Sequence, residues 1–157
     1  MPAKTRADIE KIWSNVEGVK TLSDRLVRFG PFGIGLDGML AFIPGAGILY
    51  TVGAAAWLLR QGFRARATPK TLAVMLLWLG LDTFVTLTGE AFFVPADLVD
   101  VLYPGHRLAA QALQKDIEST HWVEARRSEA LASGEHLAHS ETVSADPRLI
   151  RIVYLHD

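Results

Sequence analysis

The chain has 157 residues, half of them hydrophobic, and a formal net charge of −1, so it is sized for one domain and lacks the surplus of Lys and Arg that nucleic-acid phosphates demand. It has no cysteine, which excludes disulfides, thiolate catalysis and Cys-ligated zinc. Mean hydropathy is +0.21, above most soluble domains, and the apolar residues are concentrated in the middle of the chain.

Residues 1–30 read as an amphipathic helix. Ile9, Ile12, Trp13, Val16, Val19, Leu22, Leu26 and Val27 recur at spacings of three and four, while Asp8, Lys11, Glu17, Lys20, Asp24, Arg25 and Arg28 fill the opposite face. The polar start, with Lys4, Arg6, Asp8, Glu10 and Lys11, is followed by no apolar h-region, which predicts no cleavable secretory signal. Gly30-Pro31-Phe32-Gly33 ends the helix, because proline has no N–H to donate and glycine tolerates the turn.

Residues 31–106 read as a membrane-embedded helical unit built on two apolar segments. The first, residues 34–59, is 26 residues long with one charge, Asp37, enough to cross a hydrocarbon layer of about 30 Å. Pro44-Gly45 interrupts it, and the ten residues before that break reach only about 15 Å as a helix, so a kinked span and a re-entrant hairpin of two half-helices both fit. Gly53-Ala54-Ala55-Ala56 offers a small-residue surface for close approach of another helix. A basic connection, residues 60–70, follows, with Thr68 as N-cap and Pro69 as first residue of the next helix. The second segment, residues 71–88, is 18 residues long with one charge, Asp82, near the lower limit for spanning; a break is expected at Gly89-Glu90. Two spans place the termini on one side, whereas two hairpins place all the flanking charges on one side and account for both breaks.

Residues 107–131 read as a C-terminal amphipathic helix, with Leu108, Ala112, Leu113 and Ile117 on one face. Residues 132–157 are expected to be a mobile tail, since 132–147 are rich in Ser, Glu, His and Ala. Leu149–Leu155 alternates like a strand but shows no partner in the sequence.

The two apolar segments open alike, with Gly35-Leu36-Asp37 and Gly80-Leu81-Asp82 offset by 45 residues, which fits a paired-hairpin design. The first of these is followed by Ile43-Pro44-Gly45-Ala46-Gly47, the second is preceded by Met75-Leu76-Leu77, and Asp97-Leu98-Val99-Asp100 leads on to Arg107. On these motifs, residues 27–113 resemble the small bacterial membrane-protein family of domain of unknown function 4112. The chain departs from the family where members carry an aspartate (here Ile48) and asparagines (here Trp78 and His106), and where Phe92-Phe93-Val94-Pro95-Ala96-Asp97 stands for an Ile-Pro-x-x-Gly-Asp run. The resemblance implies an all-α, membrane-associated unit of the bacterial inner membrane with aspartates at its hairpin openings, and it implies no activity.

A carboxylate inside hydrocarbon costs several kcal/mol unless it is paired, hydrogen-bonded or protonated. Asp37, Asp82, Asp97, Asp100 and Arg107 are therefore the candidate polar cluster, for an ion or a proton. The competing reading makes each intramembrane aspartate an N-cap of its half-helix. Glu90 reads as a solvated turn, and His136 and His139, although three residues apart, lack further ligands nearby, so no metal is expected. Trp57, Trp78 and Trp122 read as packing or interfacial residues. No phosphate loop, Gly-x-Ser-x-Gly or His-Glu-x-x-His motif is present, so neither catalysis nor a cofactor is expected. The partners expected are the lipid bilayer and a second copy or another membrane protein. Three functions remain open: a non-catalytic membrane scaffold, a small transporter or ion-conducting oligomer using the aspartates, and a soluble helical bundle.

Overall fold

A computed structural model describes residues 1–28, 46–91 and 105–157. The chain is mostly helical. Its described elements are α1 (Arg6–Arg28), α2 (Ala46–Arg64), α3 (Pro69–Ala91), α4 (Gly105–Glu118), β1 (Thr120–Val123), α5 (Arg127–Ser133), α6 (Glu135–Ala145) and β2 (Arg151–Tyr154).

Helices α1 to α4 form an antiparallel bundle, and hydrogen bonds at both ends fix their directions. Between α1 and α4, Trp13 Nε1 donates to Glu118 at 2.9 Å and Gln114 donates to Glu17 at 2.7 Å. Between α3 and α4, Thr68 meets Asp116 at one end and Asp82 meets His106 at the other. The α2–α3 hairpin closes tightly because Gly62 has no side chain: a Cβ there would stand 3.0 Å from Leu72 and 3.3 Å from Met75. Of the run at residues 53–56, Ala55 packs against the core. Gly53 has nothing within 4 Å among the described residues. Start of α3 is as expected, with Thr68 Oγ1 accepting from Thr71 N at 3.1 Å.

The expected apolar stripes build the core. Ile9, Ile12 and Val16 of α1 meet Leu58, Met75 and Leu79 of the hairpin and Leu113 and Ile117 of α4, with Trp122 and Leu155 closing one end. Ala109 and Ala110, both fully buried, let α4 sit close to its neighbours. Trp57 and Trp78 pack against this core, and Trp122 Nε1 donates to Ile117 O at 3.1 Å, so these tryptophans are packing residues.

Three expectations are corrected. The second apolar segment lies in one unbroken helix that runs through Gly80 and Gly89-Glu90; no half-helix ends there. The expected helix 107–131 stops at Glu118, where the hydroxyls of Ser119 and Thr120 both donate to Asp116 O and the β-branched and aromatic Thr-His-Trp-Val run suits a strand. Residues 132–157 are not a tail without structure. They hold α6 and β2, and β2 pairs in parallel with β1 from Thr120↔Arg151 to Val123↔Tyr154. Gly134, at φ 81°, makes the left-handed turn between α5 and α6 that a residue with a Cβ resists.

A two-stranded sheet exposes two edges, and an arginine covers an outward carbonyl on each. Arg6 Nη2 donates to Trp122 O at 2.6 Å. Arg66 donates to Tyr154 O and Leu155 O, both at 2.9 Å, and its backbone, at φ 49°, closes α2 with Arg66 N donating to Phe63 O and Ala67 N to Gly62 O.

Among the described residues no helix is long and apolar enough to cross a membrane. The Pro44-Gly45 break lies outside the described residues, and α2 runs continuously from Ala46. The surface of the bundle is nonetheless two-sided. Between residues 71 and 88 the exposed positions described on α3 are Ala73, Leu76, Leu77, Gly80, Leu81, Phe84 and Leu87, all apolar, whereas α4 exposes Arg107, Gln111, Lys115 and Glu118.

Candidate functional site

Of the expected polar cluster, Asp82 and Arg107 fall among the described residues; Asp37, Asp97 and Asp100 lie outside them. Asp82 occupies the middle of α3, so it is not the N-cap of a half-helix. It points inward from the helix whose outer face is apolar, and its side chain is 3% exposed. The geometry around it is set by Gly105, the first residue of α4. A Cβ on Gly105 would stand 2.5 Å from Asp82 Cβ and 2.7 Å from Trp78 O, so only glycine lets the start of α4 press against this turn of α3. The carboxylate thus lies beside the first turn of α4, the end of a helix that favours negative charge.

The next residue, His106, supplies the base. His106 Nδ1 lies 2.5 Å from Asp82 Oδ2, and Nε2 lies 3.3 Å from Thr51 O on α2. A carbonyl only accepts, so Nε2 must carry the hydrogen in that contact. Nδ1 then shares a second proton with Asp82, carried on the imidazole or on the carboxyl. The result is a carboxylate–imidazole pair clamped among three helices, with one proton held between them. Arg107, the base named from sequence, is exposed on the polar face of α4. The structure contains a partner that charge spacing missed, although a histidine at the start of a core-facing helix beside a glycine was a readable signal.

A second buried acid was missed altogether. Asp116 of α4 accepts from Thr68 N at 3.1 Å, from the hydroxyls of Thr68 and Thr71 at 3.0 Å each, and from Arg151 Nη2 at 2.7 Å. Arg151 also donates to Thr120 Oγ1 and Arg66 O. Asp116 therefore ties the start of α3, the end of α4 and the sheet together. Its signal was in the pattern, because with Ala109 and Leu113 it lies on the apolar stripe.

His136 and His139 face the sheet. His136 Nδ1 is 2.8 Å from the Tyr154 hydroxyl and His139 Nδ1 is 3.1 Å from His121 Nε2. Among the described residues no group of three or more His, Asp or Glu is placed to hold a metal ion. Two surface clefts, one between the N-terminus and α2 and one beside His136, Tyr154 and Arg127, include neither Asp82 nor His106. What the Asp82–His106 pair can do is keep a proton between a carboxylate and an imidazole inside the bundle.

No curated protein and no solved structure matches the chain. The family model described as Domain of unknown function (DUF4112) matches residues 12–117, from the core face of α1 to the last buried residue of α4. Helices α2 and α3, most of α1 and α4, and Asp82, His106 and Asp116 lie inside that span, the sheet and α6 lie beyond it, and the chain belongs to the DUF4112 family.

Proposed function

We propose that the chain is a non-catalytic structural or partner-binding protein of the bacterial inner membrane, with the outer face of the α2–α3 hairpin seated in hydrocarbon. The observation that carries this reading is the polarity of α3, which turns Leu76, Leu77, Leu81, Phe84 and Leu87 outward and Asp82 inward. A soluble surface helix does the reverse. Fully burying one leucine or phenylalanine contributes roughly 1.5–3 kcal/mol, so five partly exposed ones together favour entry into lipid by several kcal/mol. The α1 and α4 faces, with Lys11, Ser14, Asn15, Gln111 and Lys115 exposed, stay hydrated. Arg60, Arg64, Arg66 and Lys70 gather at the hairpin turn, where basic residues favour the cytoplasmic side. In cells broken without detergent, the protein should sediment with membranes and float with anionic liposomes. Recovery in the high-speed supernatant overturns this reading and leaves the soluble bundle.

A second reading, a small ion- or proton-conducting oligomer, is favoured by the Asp82–His106 pair alone. Unchanged proton and cation flux in vesicles carrying Asp82→Asn removes it.

A further inference from the structure

Helix α6 is attached in an unusual way. It has no buried residue. Its half-buried positions are His136, His139, Ser140 and Val143, so its inward stripe holds one apolar side chain where a docked helix ordinarily carries three or four. Among the described residues, the hydrogen bonds that join its side chains to the side chains of other elements are two, and both use histidines: His136 to the Tyr154 hydroxyl on β2, and His139 to His121 on β1. The His139 ring also meets Tyr154 edge-on, with centroids 6.2 Å apart.

We propose that α6 is a pH-released element, held on the β1–β2 pair by the contact between His121 and His139 at neutral pH and let go when both imidazoles are protonated. The facing nitrogens are 3.1 Å apart, and a hydrogen bond across that gap needs one of them bare. The pair therefore accommodates at most one extra proton. A second sets two N–H groups and two positive charges against each other.

The surroundings add to this asymmetry. Burial of His121, the charge of His139 and that of Arg6, in that order, hold the His121 imidazole below its ordinary value. The docked state thus favours the uncharged ring, so its stability is complete above the free-imidazole range near pH 6.5 and is lost as pH falls through and below it. The charged groups on the elements packed against α6 do not offset this. On β2, Arg151 is taken by Asp116, and Tyr154 meets His136. On α5, Arg127 N donates to the carboxylate of Asp157, and Glu129 accepts from Arg126 N. After β1, Glu124 accepts from Arg6 N. Helix α6 itself carries Glu135 and Glu141, both exposed. Among the described residues no carboxylate forms an ion pair with His121, His136 or His139.

Amide hydrogen exchange on the full chain between pH 7.5 and 5.0, with a chelator present and intrinsic rates corrected, tests this. Protection in residues 136–145 should fall below about pH 6.5 by about tenfold per pH unit for each proton excluded, while α4 stays protected. In His139→Gln, whose amide cannot titrate and can accept from a protonated His121, the fall should be markedly shallower, with only the burial of His121 and the charge of Arg6 left to oppose protonation, whether protection is high or low at pH 7.5. Wild-type protection that stays flat, or that falls with the same slope in His139→Gln, overturns the proposal.

Discussion

Asp116 and Asp82 are both buried aspartates, 3% exposed as side chains, at opposite ends of α4's contact with α3. Asp116 accepts from the start of α3 and from β2: a backbone N–H, two hydroxyls and a guanidinium. Asp82 has His106 as its ionisable partner, at the end of the bundle where the outer surface is apolar. Asp116 ties the start of α3 and the sheet to the end of α4, whereas Asp82 meets an imidazole that reaches it only because Gly105 carries no side chain. The difference assigns a fixed joint between elements to one end of the bundle and a carboxylate–imidazole contact to the other.

The largest effect is expected at the fixed joint. Asp116→Ala takes from Arg151 its carboxylate partner at Nη2 and from the Thr68 amide its acceptor, and should cost about 3–5 kcal/mol, read as a large drop in the urea midpoint. If the loss is below about 1 kcal/mol, Asp116 is not the joint described. At the other end, Gly105→Ala forces a Cβ to within 2.5 Å of Asp82 and should cost about 1–3 kcal/mol by overpacking. Gly53→Ala, in open space, serves as the control and should be neutral or stabilising by up to about 1 kcal/mol.

The helices were legible because their periodicity is local: Ile9, Ile12 and Val16 announce α1, and Thr68-Pro69 announces the start of α3. What was not legible depended on contacts distant in sequence. Thr120–Val123 reads as a continuation of helix until Arg151–Tyr154 is brought beside it, and a parallel partner leaves no hairpin signal in the chain. Asp82 stands out in the sequence as a charge in an apolar run. The base that the sequence offers with it is Arg107, whereas packing at Gly105 brings His106 to it. The apolar outer face of α3 was read as length sufficient to span; the structure shows instead a helix apolar on its outer face and acidic within.

A smaller effect is expected where Asp82 meets His106. Asp82→Asn keeps a hydrogen-bonding group beside Nδ1 and removes its charge, so the loss should be near 1 kcal/mol. Combined with His106→Asn in a double-mutant cycle, it should show a coupling of about 0.5–3 kcal/mol. Additive losses mean that the two side chains are neighbours without being a pair.

The smallest effect on stability, and the one that separates surface from core, is expected at Phe84. It is 63% exposed, so Phe84→Gln should leave the unfolding midpoint within about 0.5 kcal/mol of wild type. If the outer face of α3 meets lipid, the same substitution, joined to Leu77→Gln, should move protein from liposomes to the aqueous fraction. A membrane fraction that stays unchanged while stability also stays unchanged means that the apolar face of α3 does not carry membrane association. The asymmetry between the two ends of the bundle then reduces to the two aspartates alone.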